Sequence, residues 1–253
     1  MEYTPMHGIG NAYVMIGEEI NEPEKQSVIL ASKYKTDGII LVLPSETCDV
    51  KMRIFNADGS EAEMCGNGAR CVARYVVDKG IVNKPCITLE TGAGIKKLYP
   101  IIEDGVVTAV RVDMGISEVL DDLSVSACGQ VWHGTAASMG NPHFVVFCDS
   151  PQELCLEEIG PVIETSRCFP NRVNTEFAKV NGENDLYMRV WERGSGETKA
   201  CGTGACALAA VAVAKGYCDA DTDINVTLLG GSLTIRVCSD RRVFMTGPAD
   251  YCN

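Results

Sequence analysis

Nothing in this 253-residue chain reaches the roughly 18 consecutive apolar residues that a membrane span requires. The N-terminal MEYTPMHGIG also lacks the basic segment and apolar run of an export signal, so a cytoplasmic protein away from any membrane is expected. Basic runs are missing too. With 22 Lys and Arg against 34 Asp and Glu, a net charge of -12, the chain offers no surface for neutralising phosphates, and no nucleic-acid partner is expected. There is no glycine fingerprint for a nicotinamide cofactor, no phosphate-binding Walker sequence and no His/Cys cluster at metal-ligand spacing. Any chemistry is therefore expected to run without cofactor or metal.

Cysteine, by contrast, is plentiful. Thirteen cysteines, an odd number scattered over the whole length, do not show the dense pairing of a small secreted scaffold. Reducing surroundings suit them better, with most thiols serving as small apolar fillers. Two stand apart because the stretch that holds them occurs twice. MRIFNADGSEAEMCGNGARCVARY begins at Met52 and MRVWERGSGETKACGTGACALAAV at Met188, and the two run in step from Cys65 and Cys201 to Lys79-Gly80 and Lys215-Gly216. A constant offset of 136 without a gap marks an internal duplication. A second echo sets GIGNAYVMI (from Gly8) against SMGNPHFVVF (from Ser138), with Asn11 and Asn141 at an offset of 130.

Short β-branched or apolar runs bounded by Gly, Pro and Asn predict strands at 13–16, 38–43, 50–55, 87–89, 96–102 and 106–114. The second half repeats this order at 144–147, 176–180, 186–191, 224–228, 232–237 and 242–246. Helices are predicted at 23–35, 67–79, 153–165 and 203–215. The second carries Ala69, Val72, Ala73, Val76 and Val77 on one face with Gly80 at the cap position. The fourth, TGACALAAVAVAK, has almost no polar residue and is expected to be enclosed on all sides. The expected fold is α+β, with two pseudo-symmetric domains, each a mostly antiparallel, barrel-like sheet wrapped around a central helix. The halves are placed at 1–114 and 115–242, with a last strand at about 243–253 returning to the first.

In each copy the cysteine precedes a Gly-x-Gly turn that opens a helix, beside unpaired backbone N–H groups and the positive end of the helix dipole. That position is expected to lower the thiol pKa. The glycines let the backbone approach a bound carboxylate. If the halves face one another, one thiolate can remove an α-proton while the other thiol supplies a proton to the opposite face. The helix ends then stabilise charge spreading onto the carboxylate. The plainer readings are a pair of buried structural thiols, or a disulfide between them that represents an inactivated state.

MHGIGN (from Met6), FNADGSEAEMCGNGARC (from Phe55), MGNPHFV (from Met139), WERGSGETKACGTGACA (from Trp191) and TGPA (from Thr246) closely resemble the diaminopimelate epimerase family over nearly the whole chain. The resemblance implies a cofactor-independent isomerase that interconverts LL- and meso-diaminopimelate in lysine and peptidoglycan precursor biosynthesis. It implies Cys65 and Cys201 as the catalytic thiols, with His143 and Glu192 tuning them. Gly66, Asn67, Gly202 and Thr203 would offer main-chain amides to the reacting carboxylate. Asn11, Asn56, Asn141, Asn174, Glu192 and Arg193 would hold the substrate's amino and carboxyl groups. Arg193 presents a planar fork suited to a distal carboxylate.

Four features depart from the family pattern: the shortened YKTDG that leads into the 38–43 strand, Pro5 in place of a lysine, Ala12 in place of an acidic residue, and the ending DYCN, which lacks the usual aromatic of the homodimer contact. Two other functions remain in view, a racemase of another amino acid and a non-catalytic amino-acid-binding protein.

Overall fold

The computed structural model describes residues 2–252. Contacts divide the chain into two compact units, the first comprising 1–113 with 246–253 and the second 114–245.

In the first unit, β1 (Thr4–Gly8) turns back into β2 (Asn11–Ile16), and α1 (Pro23–Tyr34) crosses over to β3 (Gly38–Leu43). Then follow β4 (Val50–Asn56), β5 (Glu61–Ala62), α2 (Gly66–Asp78), β6 (Ile87–Thr91), β7 (Gly94–Glu103) and β8 (Val106–Ile116). Neighbouring strands are antiparallel except where a helix intervenes: β2 lies parallel to β3 across α1, and β4 parallel to β6 across α2. A parallel pair needs such a crossover, because a tight turn can only reverse the chain.

All six residues of β3, Gly-Ile-Ile-Leu-Val-Leu, are buried, because both faces of the sheet are covered. Ile39, Leu41 and Leu43 join Val14, Ile16, Leu30 and Phe55 in the cluster beneath α1. Ile40, on the alternate face, lies beside the first turn of α2. Ser27 of α1, wholly buried, donates to the carbonyls of Phe55 and Asn56 and so ties the outer helix to β4. Within α1, Val28 and Ile29 face solvent while Leu30 and Ala31 are buried. Outer helices show the sheet only one stripe, and three consecutive apolar residues cannot share it.

The second unit repeats the plan with β9 (Glu118–Ala127), β10 (Gln130–Ser138), β11 (Pro142–Phe147), α3 (Leu156–Glu164), β12 (Asn174–Gly182) and β13 (Asp185–Glu192). It continues through β14 (Gly196–Thr198), α4 (Gly202–Ala214), β15 (Asp223–Leu228), β16 (Gly231–Val237) and β17 (Arg242–Gly247). Strand β11 runs parallel to β12 across α3, and β13 parallel to β15 across α4, whereas β10 is antiparallel to β9 and β11, β13 to β12 and β14, and β15 to β16. Helix α4 packs against β9 to β13, β15 and β16, so the sheet surrounds it. Every residue from Gly204 to Ala212 is buried, and Leu208 and Val211 each contribute about 1.5–3 kcal/mol by leaving water. The outer face is covered by α3 over Phe144, Val146, Trp132 and Phe177.

The chain closes with β18 (Asp250–Tyr251), which pairs antiparallel with β1 in the first unit. Arg70 and Arg74 of α2 hold this terminal segment by donating to the carbonyls of Pro248 and Ala249, and Arg74 also meets the Asp250 carboxylate at 2.9 Å.

Candidate active site

Each unit presents a cysteine as the N-cap of its central helix. In the first, Cys65 has extended backbone angles and its Sγ accepts the Gly68 N–H at 3.5 Å, the role a Ser or Thr oxygen commonly fills. Asn11 and Tyr13, two residues apart on β2, point the same way and both reach this sulfur. The thiol donates to Asn11 Oδ1 at 3.4 Å, and the Tyr13 hydroxyl donates to Sγ at 3.6 Å. Asn67 Nδ2 donates to the same Asn11 oxygen at 3.3 Å. The Asn11 amide is oriented from behind, because its Nδ2 donates to the Asp37 carboxylate at 2.9 Å while the Ala12 N–H meets the same oxygen at 2.7 Å. Asn56 stands outside this cluster; its amide donates to Ser60 Oγ in the turn after β4.

In the second unit, Cys201 is the N-cap of α4 and its Sγ accepts the Gly204 N–H at 3.4 Å. A chain of contacts leads away from it. Thr203 Oγ1 lies 3.7 Å from Sγ and accepts from Asn141 Nδ2 at 3.3 Å; Asn141 Oδ1 lies 3.1 Å from His143 Nε2; His143 Nδ1 lies 2.7 Å from Glu176 Oε1. His143 thus reaches the thiol through Asn141 and Thr203. Glu192, held by the Thr198 hydroxyl, lies close enough to Cys201 for its carboxylate and the thiol to act on one another.

The electrostatics of Cys201 depart from the sequence-based expectation. Burial pushes its thiol well above the ordinary value, and the Glu192 and Glu176 carboxylates add to this, while Thr203 and the Gly204 amide act in the opposite sense. Desolvation outweighs the helix end here. Burial likewise raises the Glu176 and Glu192 carboxyls. Burial thus favours the neutral, protonated form of the Cys201 thiol.

The second glycine of each turn is closely packed. A Cβ on Gly68 would stand 2.6 Å from Ile40 Cδ1, and one on Gly204 would stand 2.7 Å from Glu176 Oε1 and 3.1 Å from Cys201 Sγ. Neither glycine has a positive φ, so close approach accounts for both.

Arg193 lies just past the end of β13, in the turn closed by the Ser195 N–H on the Glu192 carbonyl. Its N–H donates to Asn174 Oδ1 at 3.0 Å and its guanidinium to the Asn171 carbonyl at 3.1 Å. Asn174 uses its other amide atom on the Pro142 carbonyl, so it braces the backbone of β11 and the Arg193 turn. Arg193 and Asn141 share the walls of a cavity of about 630 Å³ with Phe169, Arg172 and Cys168. Glu164, at the end of α3, orders this rim: its carboxylate accepts from Trp191 Nε1 at 2.7 Å, from the Gly194 N–H at 3.0 Å and from Arg172 at 3.4 Å.

Tyr13, Asp37, Glu164 and Glu176 were not singled out by sequence reasoning. Two of them had a signal. The offset of 130 sets Tyr13 opposite His143, and the offset of 136 sets Ile40 opposite Glu176. Among the described residues, no group of three or more His, Cys, Asp or Glu is arranged to hold a metal ion. No helix among them is long and apolar enough to cross a membrane.

The sequence model of the family described as Diaminopimelate epimerase matches residues 3–120 and 135–252. The chain belongs to the diaminopimelate epimerase family. Diaminopimelate epimerases of Methanococcus maripaludis and Agathobacter rectalis are 44% and 45% identical to it, each alignment covering 98% of this chain and 96% of the relative. One from Desulfovibrio desulfuricans is 46% identical over 98% of this chain and 95% of its own. Among solved structures, a Bacillus anthracis phenazine biosynthesis protein superposes with a TM-score of 0.78 at 19% identity, covering 100% of this chain and 98% of the other. A probable proline racemase from Agrobacterium radiobacter gives 0.71 at 17% identity, covering 99% and 92%. At these identities the structures establish the shared fold of the diaminopimelate epimerase family and nothing finer.

Proposed function

We propose that this protein is a cofactor-independent diaminopimelate epimerase that inverts one α-carbon of LL- or meso-diaminopimelate by two-thiol proton transfer. The reading rests on one observation above all: full-length relatives at 44–46% identity are diaminopimelate epimerases, and the chain keeps a helix-capping cysteine in each repeated half. Cys65 and Cys201 are assigned to opposite faces of the α-carbon, one removing the proton and the other returning one. The main-chain amides of Gly66, Asn67, Gly202 and Thr203 at the helix starts would stabilise the carboxylate as charge spreads onto it. Asn11, Asn56, Asn141, Asn174, Glu192 and Arg193 are assigned to the substrate's amino and carboxyl groups. His143 acts at one remove, through Asn141 and Thr203. Residues 1–114 and 115–242 would be the two epimerase halves, with 243–253 completing the first. A cytoplasmic setting suits reactive thiols that must stay reduced.

The test is deuterium incorporation. With reductant in deuterated water, LL-diaminopimelate should gain α-deuterium and appear as the meso isomer, whereas single amino acids should not exchange. Exchange confined to another amino acid would replace the substrate assignment. Cys65→Ser and Cys201→Ser should each abolish epimerisation, and a wild-type rate in either would end the two-thiol account.

A further inference from the structure

The two halves differ in charge around their thiols. Beside Cys201 stand Glu192, Glu176 and, through Asn141 and Thr203, His143. The constant offsets place Asn56, Ile40 and Tyr13 at the matching positions of the first half. Three ionisable groups are thus replaced by an amide, an alkyl chain and a phenol. Divergence at these positions left the helix caps unchanged, since each sulfur still accepts the N–H three residues on.

Tyr13 is the one member of the first set whose polar atom meets the sulfur. Its ring is buried on β2, where Met6 of β1 is its cross-strand neighbour, and its hydroxyl lies 3.6 Å from Cys65 Sγ. In the second copy the residue equivalent to Tyr13 makes no such contact, and the hydroxyl beside Cys201 comes instead from Thr203, 3.7 Å from Sγ. His143, the equivalent residue, spends both ring nitrogens on Asn141 and Glu176.

We propose that Tyr13 is a further catalytic residue of the epimerase, its hydroxyl donating to the Cys65 thiolate and making Cys65 the more readily ionised of the two thiols. This rests on the assignment of Cys65 to proton transfer. As a thiol, Cys65 gives its hydrogen to Asn11 Oδ1. Once that proton leaves, the Tyr13 O–H and the Gly68 N–H remain aimed at the sulfur, and hydrogen bonds to the charged form favour it. Burial, followed by the charge on Cys65, lifts the Tyr13 phenol well above its ordinary value, so it keeps its proton while the thiol titrates. The other titratable groups that face this cluster are Asp37, which holds Asn11 from behind, and Cys71 of α2. Cys71 is itself pushed up to about 12 by burial and stays neutral. Glu63, two residues before Cys65, is exposed.

The proposal is tested on the free protein, without substrate, by timed alkylation with iodoacetamide across pH and mass spectrometry of the peptides carrying Cys65 and Cys201. In the wild type, Cys65 should react at lower pH than Cys201. Tyr13→Phe should slow Cys65 about tenfold below its midpoint, the equivalent of one pKa unit, and leave Cys201 unchanged. Replacing Tyr13 with 3,5-difluorotyrosine, a stronger donor of nearly the same shape, should move the Cys65 profile in the opposite direction. An unaltered Cys65 profile in both variants, or equal slowing at both thiols, would overturn the assignment. Because no diaminopimelate is present, the outcome stands apart from the substrate assignment. An enzyme that exchanged deuterium only on another amino acid could still show the Tyr13 effect, and an authentic diaminopimelate epimerase could lack it.

Discussion

His143 Nδ1 lies 2.7 Å from Glu176 Oε1, and both side chains are wholly excluded from solvent. The pair is fixed by register: His143 faces Asn174 across the parallel β11–β12 ladder, and Glu176, two residues on, projects from the same face of β12. A carboxylate placed there without its partner would leave a buried charge or an unused acceptor, and the fold tolerates it because the imidazole is present.

Glu176→Gln should therefore change how stability depends on pH. Burial raises the Glu176 carboxyl above its ordinary 4.5, so the folded state retains that proton after the unfolded chain has released it. Unfolding then becomes easier as pH climbs from the unfolded value through the folded one. Denaturant midpoints should fall over that interval in the wild type and flatten in Glu176→Gln. An identical slope in the two proteins would show that the carboxylate does not titrate in this window.

Gly204→Ala should damage activity more than Gly68→Ala. Both would seat a methyl group below 3.0 Å from a neighbour, but the neighbours differ. Ile40 Cδ1 is the free end of a flexible chain, whereas Glu176 Oε1 is bonded to His143 and the Cys201 sulfur is also within 3.1 Å. We expect a loss in kcat/KM of about tenfold or more for Gly204→Ala and a stability cost of about 1 kcal/mol for Gly68→Ala, measured by steady-state kinetics and denaturant unfolding.

Glu164→Ala removes the acceptor that holds Trp191, Gly194 and Arg172 together. Three donors lose their carboxylate partner, at a cost of about 2–3 kcal/mol in stability. The Arg193 turn, anchored through Gly194, should loosen, so KM for diaminopimelate should rise more than kcat falls. A change in stability with KM intact would confine Glu164 to packing.

Asp49 provides an acid-side test. The Lys84 ammonium, followed by the Thr88 N–H and hydroxyl, lowers its carboxyl from 3.8 to about 2. The stability this contributes is full above the unfolded value and is lost as pH falls through the folded one. Asp49→Asn should be less stable than the wild type near neutral pH by about 1 kcal/mol and converge with it below about pH 2. Parallel curves over the whole range would remove Asp49 from the acid transition.

The regular elements most legible in the sequence are those with strong one-sided or all-round apolar patterns. Helices α2 and α4 form over Gly66–Asp78 and Gly202–Ala214, within one residue of the expected bounds. Their caps differ from expectation only in that the cysteine itself accepts the first-turn N–H. Strands β1, β5, β9, β10 and β14 were not read. Strand β9, Glu-Val-Leu-Asp-Asp-Leu-Ser-Val-Ser-Ala, buries only Val125 and Ala127, so its alternation is too weak to see. Strand β1 contains Pro5 and is held as a strand by β2 on one side and β18 on the other. The 153–165 helix begins later than expected, at Leu156, after a single short turn at Pro151–Glu153.

Sequence alone determined that the chain is duplicated, that a cysteine opens the central helix of each copy, and that the family is that of the diaminopimelate epimerases. Those properties are local or comparative, carried by spacing and side-chain type. Tertiary structure decided which groups touch the thiols. Tyr13 reaches Cys65 through strand register, Glu176 comes close to Cys201 through register and the absence of a side chain at Gly204, and Asn56 turns toward Ser60 instead. It also reversed the expected electrostatics of Cys201, because the cost of removing a charge from water depends on everything packed around it, and no helix start read from sequence contains that information.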